Sequence, residues 1–82
     1  MADREIDGFI VWAGAHQNGD DQPRAQVETK PLDGSGKTRT FTVITTKRFA
    51  SLDAAMAAAH EAVQAVESVN DEGVPHPLTY EK

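Results

Sequence analysis

The 82-residue sequence predicts an α+β fold: a three-stranded antiparallel meander with one C-terminal helix packed on one face (β-β-β-α) and an extended C-terminal tail. Two observations predict it. Three segments with the composition of strands are separated by turn-forming Gly, Pro, Asn and Asp residues. An alanine-rich segment with helical periodicity follows the third. The chain length suits a single domain, which we place at residues 1–73, with a Pro-containing tail at residues 74–82.

The first two predicted strands flank a turn. Residues 8–15, GFIVWAGA, form a short apolar run rich in β-branched and aromatic side chains. Residues 24–30, RAQVETK, alternate polar and apolar side chains with the period of two that a strand has. Between them, Asn18-Gly19 is typical of a tight turn, because both residue types tolerate a positive φ. We therefore expect these two strands to form a hairpin.

The third predicted strand covers residues 38–49, TRTFTVITTKRF, after a break at residues 31–37, PLDGSGK. Its threonines suit a pleated, half-buried surface, on which β-branched residues are favoured. Alternation then divides the side chains between two faces. The face toward the helix is expected to hold Ala25, Val27, Phe41 and Val43, and the other face Thr40, Thr42, Ile44, Thr46 and Arg48.

A helix is predicted at residues 52–70, LDAAMAAAHEAVQAVESVN. Ser51 is a favourable N-cap, Asp53 places a negative charge near the positive end of the helix dipole, and Gly73 is predicted to mark the end. One apolar stripe repeats at i, i+3 and i+4 spacing, and its small residues allow a close approach to the sheet. The stripe consists of Leu52, Ala55, Met56, Ala59, Val63 and Val66.

The first predicted strand is apolar on both sides, so alternation alone leaves its orientation open. Either Phe9 and Val11 or Ile10 and Trp12 face the helix. We favour the arrangement with Trp12 outward. In the alternative, Trp12 is the core anchor and Phe9 is partly exposed.

Composition limits the classes of function. The net charge is −5, yet six of the eight Lys and Arg residues lie in residues 24–48, so the chain is acidic at both ends and basic in the middle. There is no cysteine, which excludes disulfides, thiolate zinc sites and cysteine nucleophiles. The acidic amino terminus does not resemble a secretory signal, and no segment has the roughly 18 apolar residues of a membrane span. A cytoplasmic protein without membrane contact is expected.

Three motifs suggest chemistry but are better explained by structure. The segment GSGKT at residues 34–38 resembles the end of a phosphate-binding loop, but Pro31 stands where the full motif has glycine, and a strand is predicted to follow. The histidines, His16, His60 and His76, lack the spacing of a zinc site and are expected at the surface or its boundary. The carboxylates lie in turns or on a solvated helix flank, where no cleft is expected. We therefore expect no enzyme activity, no metal and no cofactor.

The leftover sheet face is the candidate functional surface. A small domain has a thin core, and a sheet with apolar and basic groups on its uncovered face is a candidate contact surface. This pattern favours a non-enzymatic interaction domain that holds a protein partner or a second copy of itself through the sheet face or an edge strand. The alternative is a nucleic-acid-binding module that uses the basic middle segment. The expected surface comprises Trp12, Lys30, Thr40, Thr42, Ile44 and Arg48.

Two family resemblances accompany this interpretation. Residues 49–77, FASLDAAMAAAHEAVQAVESVNDEGVPHP, resemble the last strand end, the capped alanine-rich helix and the proline tail of HicB-type antitoxins. That resemblance implies a basic toxin as partner, with the acidic helix flank formed by Asp53, Glu61 and Glu67 as the expected contact.

The β-β-β-α order with a basic third strand also resembles the DNA-binding domains of plant ethylene-response factors and some integrase amino-terminal domains. That resemblance implies groove contacts by Trp12, Lys30, Arg39, Lys47 and Arg48. More generally, the chain is similar to small bacterial proteins whose function is not established.

Overall fold

A computed structural model describes residues 3–20, 22–45 and 48–79 and shows an antiparallel sheet with one helix on one side. The predicted α+β class is confirmed, but the sheet has four strands instead of three, in the order β1-β2-β3-β4 with every neighbouring pair antiparallel. A separate two-stranded hairpin follows the helix. The elements are β1 (Arg4–Ile6), β2 (Phe9–His16), β3 (Arg24–Pro31), β4 (Arg39–Thr42), α1 (Leu52–Ala65), β5 (Ser68–Val69) and β6 (Pro75–His76).

The additional strand is β1, at the amino-terminal edge of the sheet. Ile6 pairs with Phe9, so only Asp7 and Gly8 form the loop, and both have positive φ values of 53° and 84°. A two-residue loop with two positive φ angles has the twist that a tight hairpin needs, and Asp-Gly is a preferred sequence for it. The prediction of three strands is wrong because the segment before this turn is short and charged, while the turn fixes its pairing with β2.

The strand predicted at residues 38–49 is shorter in the structure. The regular pairing of β4 with β3 ends at Thr42, although Val43 still donates its N–H to the carbonyl of Ala25 at 2.9 Å. Ile44 then pairs in parallel with Thr79, and its N–H donates to the carbonyl of Leu78 at 2.8 Å. The chain therefore leaves β3 after Val43. The predicted positions Thr46 and Lys47 lie outside the described residues.

The helix begins as predicted and ends five residues early. The Ser51 hydroxyl accepts a hydrogen bond from the N–H of Ala54 at 3.1 Å, which is the expected N-cap contact. Val66 already has extended backbone angles, so α1 stops at Ala65, and the predicted end near Gly73 is wrong. Gly73 lies instead in the loop between β5 and β6, with a φ of 81°. Within the described ranges, no helix is long and apolar enough to cross a membrane.

The core lies between α1 and the sheet. Val11 is fully buried, so β2 turns Val11 toward the helix and Trp12 away from it, as we favoured. Leu52, at the start of the predicted stripe, remains 44% exposed. The helix contributes mainly small residues to the core. Three strands and the segments on either side of the helix supply the other side chains. The buried apolar residues of the core are Val11, Ala25, Val27, Val43, Phe49, Ala55, Ala58, Ala59, Ala62, Val63, Val66 and Val69.

The β5–β6 hairpin packs on the same side of the sheet as α1. Thr29, a fully buried polar residue of β3, donates its hydroxyl hydrogen to the carbonyl oxygen of Gly73 at 2.8 Å. Gly73 also lies close to the side chains of Phe9 and Arg39, which share that face of the sheet. The helix and the hairpin together therefore cover one face.

Replacing Thr29 by valine should destabilise the fold by about 1 kcal/mol, because the shape is kept while the Gly73 carbonyl loses its buried donor. Urea denaturation of the Thr29→Val variant measures this loss. The Thr29→Ser variant retains a hydroxyl and should recover part of it, and Thr42→Val, on an exposed position, should change little. A Thr29→Val variant as stable as the parent would contradict the proposed importance of this bond.

Arg4 connects β1 to the end of the helix. Its Nη1 atom donates to the carbonyl oxygens of Val63 at 2.7 Å, Gln64 at 3.1 Å and Val66 at 2.8 Å. The last carbonyls of a helix have no partner within the helix and carry the negative end of its dipole. Nearby, the Asp7 carboxylate accepts the N–H of Val69 at 2.9 Å. The edge strand thus caps the helix and holds the segment that follows it.

Replacing Arg4 by methionine should lower the free energy of unfolding by about 1.5 kcal/mol, since the aliphatic stem is kept and the charged donor is lost. Amide hydrogen exchange should rise first in the last turn of α1. Arg24→Met serves as the matched control, because Arg24 is exposed and lies on a strand far from this helix end. Equal stability losses in both variants would argue against a capping role for Arg4.

Candidate interaction surface

The face of the sheet turned away from α1 presents rows of side chains from β2, β3 and β4. The strand register places Trp12 opposite Glu28, and Glu28 opposite Thr40. The neighbouring rows run from Gly14 through Gln26 to Thr42 and from Ile10 to Lys30. We call this set the open face: Ile10, Trp12, Gly14, Gln26, Glu28, Lys30, Thr40 and Thr42.

Glu28 occupies the centre of the open face. Its Oε1 atom accepts a hydrogen bond from the Thr40 hydroxyl at 3.2 Å. Its Oε2 atom lies over Gly14, where an added Cβ would come within 2.8 Å of it. Any side chain at position 14 would therefore displace the carboxylate. Because Gly14 has no side chain, the Glu28 carboxylate can lean over it, away from the row that Glu28 shares with Trp12.

The structure brings together four of the six residues predicted for the surface. Trp12 is partly exposed, and Lys30, Thr40 and Thr42 are exposed on the same face. Ile44 has a 65% exposed side chain but lies past the end of β4, beside the tail.

Arg48 lines a pocket near the start of β3, so it does not join the open face. The prediction placed Ile44 and Arg48 on the face because it continued the strand to residue 49.

Sequence reasoning missed Gln26 and Glu28. The alternation of β3 contains the relevant signal: Ala25, Val27 and Thr29 are buried, so the intervening polar residues must lie on the other side. Of the residues of β3, the prediction included only the basic Lys30. The open face is therefore mixed in charge and not uniformly basic.

The two edge strands of the sheet differ in how well their backbone N–H and C=O groups could pair with another strand. In the described part of the chain, β4 pairs with β3 on one side, and the tail joins only beyond it, at Ile44. The other edge, β1, is short; its Arg4 contacts the helix end, and Asp7 in the following turn contacts β5. Consequently the outer edge of β4, next to the open face, is the better candidate for adding a strand.

The remaining motifs occupy structural positions. Residues 34–38 lie in the loop between β3 and β4, and a strand follows them, so a phosphate-binding loop does not form there. The N–H of Ser35 donates to the Asp33 carboxylate at 2.8 Å, and hydrogen bonds from the Ser35 side chain and backbone lower the pKa of Asp33. All three histidines are exposed. Among the described residues, no group of three or more His, Asp or Glu side chains is placed to hold a metal.

Comparisons with protein-family models, with curated protein sequences and with solved structures find no match to this chain.

Proposed function

We propose that this protein is a non-enzymatic cytoplasmic interaction domain that binds a protein partner, or a second copy of itself, through the open face and the adjoining edge of β4. One observation carries the proposal: a tryptophan stands in the middle of a sheet face while the helix and the β5–β6 hairpin cover the opposite one. Tryptophan is among the residues that contribute most to binding energy when a partner buries it. Trp12 is positioned for that role.

The surroundings of Trp12 support a protein partner. Ile10 adds apolar area beside it, and the exposed threonines of β4 supply hydroxyls that can donate or accept at the rim. A surface that combines an aromatic side chain with polar groups around it is common in protein interfaces. The sheet face and the outer edge of β4 are suited to an extended segment or to another sheet.

The charge distribution favours protein over nucleic acid. A phosphate backbone is bound mainly by clustered Lys and Arg, and the carboxylate of Glu28 at the centre of the face would repel it. Arg39, one of the basic residues considered for groove contact, lies on the helix side against Gly73. We expect no binding to duplex DNA even at low salt, where the electrostatic attraction is strongest, and a filter-binding titration tests this.

Site-directed crosslinking tests the proposed surface, because the chain has no cysteine of its own. Thr42→Cys on the open face and Gln64→Cys on the exposed flank of α1 each receive a photoreactive maleimide in otherwise identical protein. We expect adducts from position 42 and few from position 64. An adduct of twice the chain mass indicates self-association, and a larger adduct formed in cell extract indicates another partner.

The Trp12→Ala variant provides the control for specificity. Combined with Thr42→Cys, it should lose the adducts while keeping the circular dichroism spectrum of the parent, since Trp12 lies outside the core. Equal crosslinking from positions 42 and 64, or adducts that persist without Trp12, would contradict the proposal.

A further inference from the structure

A pocket of about 320 Å³ lies at the end of the sheet away from the β1–β2 turn. Three segments form it: the start of β3, the end of β4 and the residues just before α1. The volume falls at the lower end of the range for small-molecule sites, which runs from roughly 300 to 1,000 Å³.

The inner wall of the pocket is apolar. Pro23, Ala25, Val43 and Phe49 all line it, and all four are buried. Val43 and Ala25 are held in adjacent strands by the 2.9 Å backbone hydrogen bond between them. This wall is therefore part of the packed core.

The rim of the pocket is cationic. Arg24 and Arg48 are both exposed and both line it, and Gln22 and Thr42 add uncharged polar groups. The described lining residues include no carboxylate. Arginine binds carboxylates through two parallel, charge-assisted hydrogen bonds. An apolar wall below two guanidinium groups is complementary to an anion with an apolar body.

We propose that this pocket binds a small organic monocarboxylate, with its apolar group against Val43 and Phe49 and its carboxylate at Arg24 and Arg48. The volume suits a small ligand, such as an arylacetate or a short fatty acid. This site is distinct from Trp12 and goes beyond the proposed interaction function. Thr42 belongs to both the pocket rim and the open face, and the alternation of β3 places Arg24 at the end of the same side of the sheet.

Titration with phenylacetate, followed by amide chemical shifts in the ¹⁵N-labelled full chain, tests the proposal. We expect saturable shifts at Ala25, Val43 and Phe49, with a dissociation constant at or below about 1 mM. Phenylacetamide has the same shape without the charge and should bind at least about tenfold more weakly. Hexanoate, a second carboxylate of suitable size, should shift the same amides.

Matched variants assign the carboxylate contact. Arg48→Gln and Arg24→Gln should each weaken phenylacetate binding about tenfold, which corresponds to the loss of one charge-assisted contact. Lys30→Gln removes one positive charge from the open face and should leave the affinity unchanged. Trp12→Ala should also have no effect, which separates this test from that of the interaction surface.

Three results would overturn the proposal. The first is an absence of shifts from both carboxylates up to about 10 mM, a concentration well above the expected dissociation constant. The second is equal binding of phenylacetate and phenylacetamide. The third is an equal loss of affinity in Lys30→Gln and Arg48→Gln, which would indicate only a general response to net charge.

Discussion

Replacing Ala59 by leucine should lower the free energy of unfolding by about 3 kcal/mol, at the upper end of the usual cost of overpacking a core. Ala59 is fully buried and lies in the row of small residues where α1 rests on β2 and β3. A leucine there has no space, because the interior is close-packed. It must move the helix away from the sheet or force side chains out of their preferred rotamers.

Urea denaturation followed by circular dichroism measures the effect. Ala57→Leu is the matched control, since Ala57 belongs to the same helix but is exposed, and its stability should change by less than about 0.5 kcal/mol. If both variants unfold at the same urea concentration, α1 does not pack on the sheet through its alanine row.

Replacing Gly73 by alanine should destabilise the protein by about 2 kcal/mol, for two separable reasons. The residue has a φ of 81°, which costs a non-glycine residue about 1 kcal/mol or more. An added Cβ would also lie 3.3 Å from atoms of Arg39, Phe9 and Thr29, closer than ordinary contact. The β5–β6 hairpin would have to move off the sheet to make room.

The Gly34→Ala variant separates the cost of backbone strain from the cost of close packing. Gly34 has a similar φ of 75°, but a Cβ there would meet nothing within 4 Å. Its cost should therefore be the conformational term alone, about 1 kcal/mol. Thermal unfolding of both variants gives the difference. A Gly34→Ala variant as unstable as Gly73→Ala would mean that the hairpin does not rest on the sheet at Thr29.

Local sequence patterns predicted the elements whose signals are local. The alternation in β3 gave its buried face, and Ser51 marked the beginning of the helix, because capping and periodicity act over three or four residues. The strand β1 was missed although Asp7-Gly8 is a strong hairpin sequence. Its three residues are too few to show a pattern without the turn.

The end of the helix was mispredicted for a different reason. Residues after Ala65 continue the apolar spacing, so nothing local distinguishes another helical turn from the strand that forms. Distant contacts decide it. Glu67 donates its N–H to the carbonyl of His76 at 2.7 Å, Val69 donates its N–H to Asp7, and Arg4 donates to the carbonyls of residues 63, 64 and 66 at the helix end.

The candidate site was predictable in part. Trp12, Lys30, Thr40 and Thr42 lie on strands whose alternation is regular, so their shared face followed from parity. The choice between Trp12 and Val11 as the buried residue depends on which side receives the helix. Ile44 and Arg48 were misplaced because the chain leaves β3 after Val43. The carboxylate of Glu28 was overlooked beside more conspicuous basic residues.

The hydrogen bonds from β1 and its turn to the segment at residues 63–69 influence the order of folding events. Each bond joins two residues that are separated by 59 to 62 positions in the sequence, so a loop of nearly the whole domain must close before the bond forms. Closing a long loop costs entropy that only the finished contact recovers, and folds rich in such contacts form slowly. We infer that the central hairpin and the helix associate first, and that β1 and its turn bind the segment at residues 63–69 last. During synthesis, the full set of carbonyls that Arg4 binds exists only after the ribosome has added residue 66.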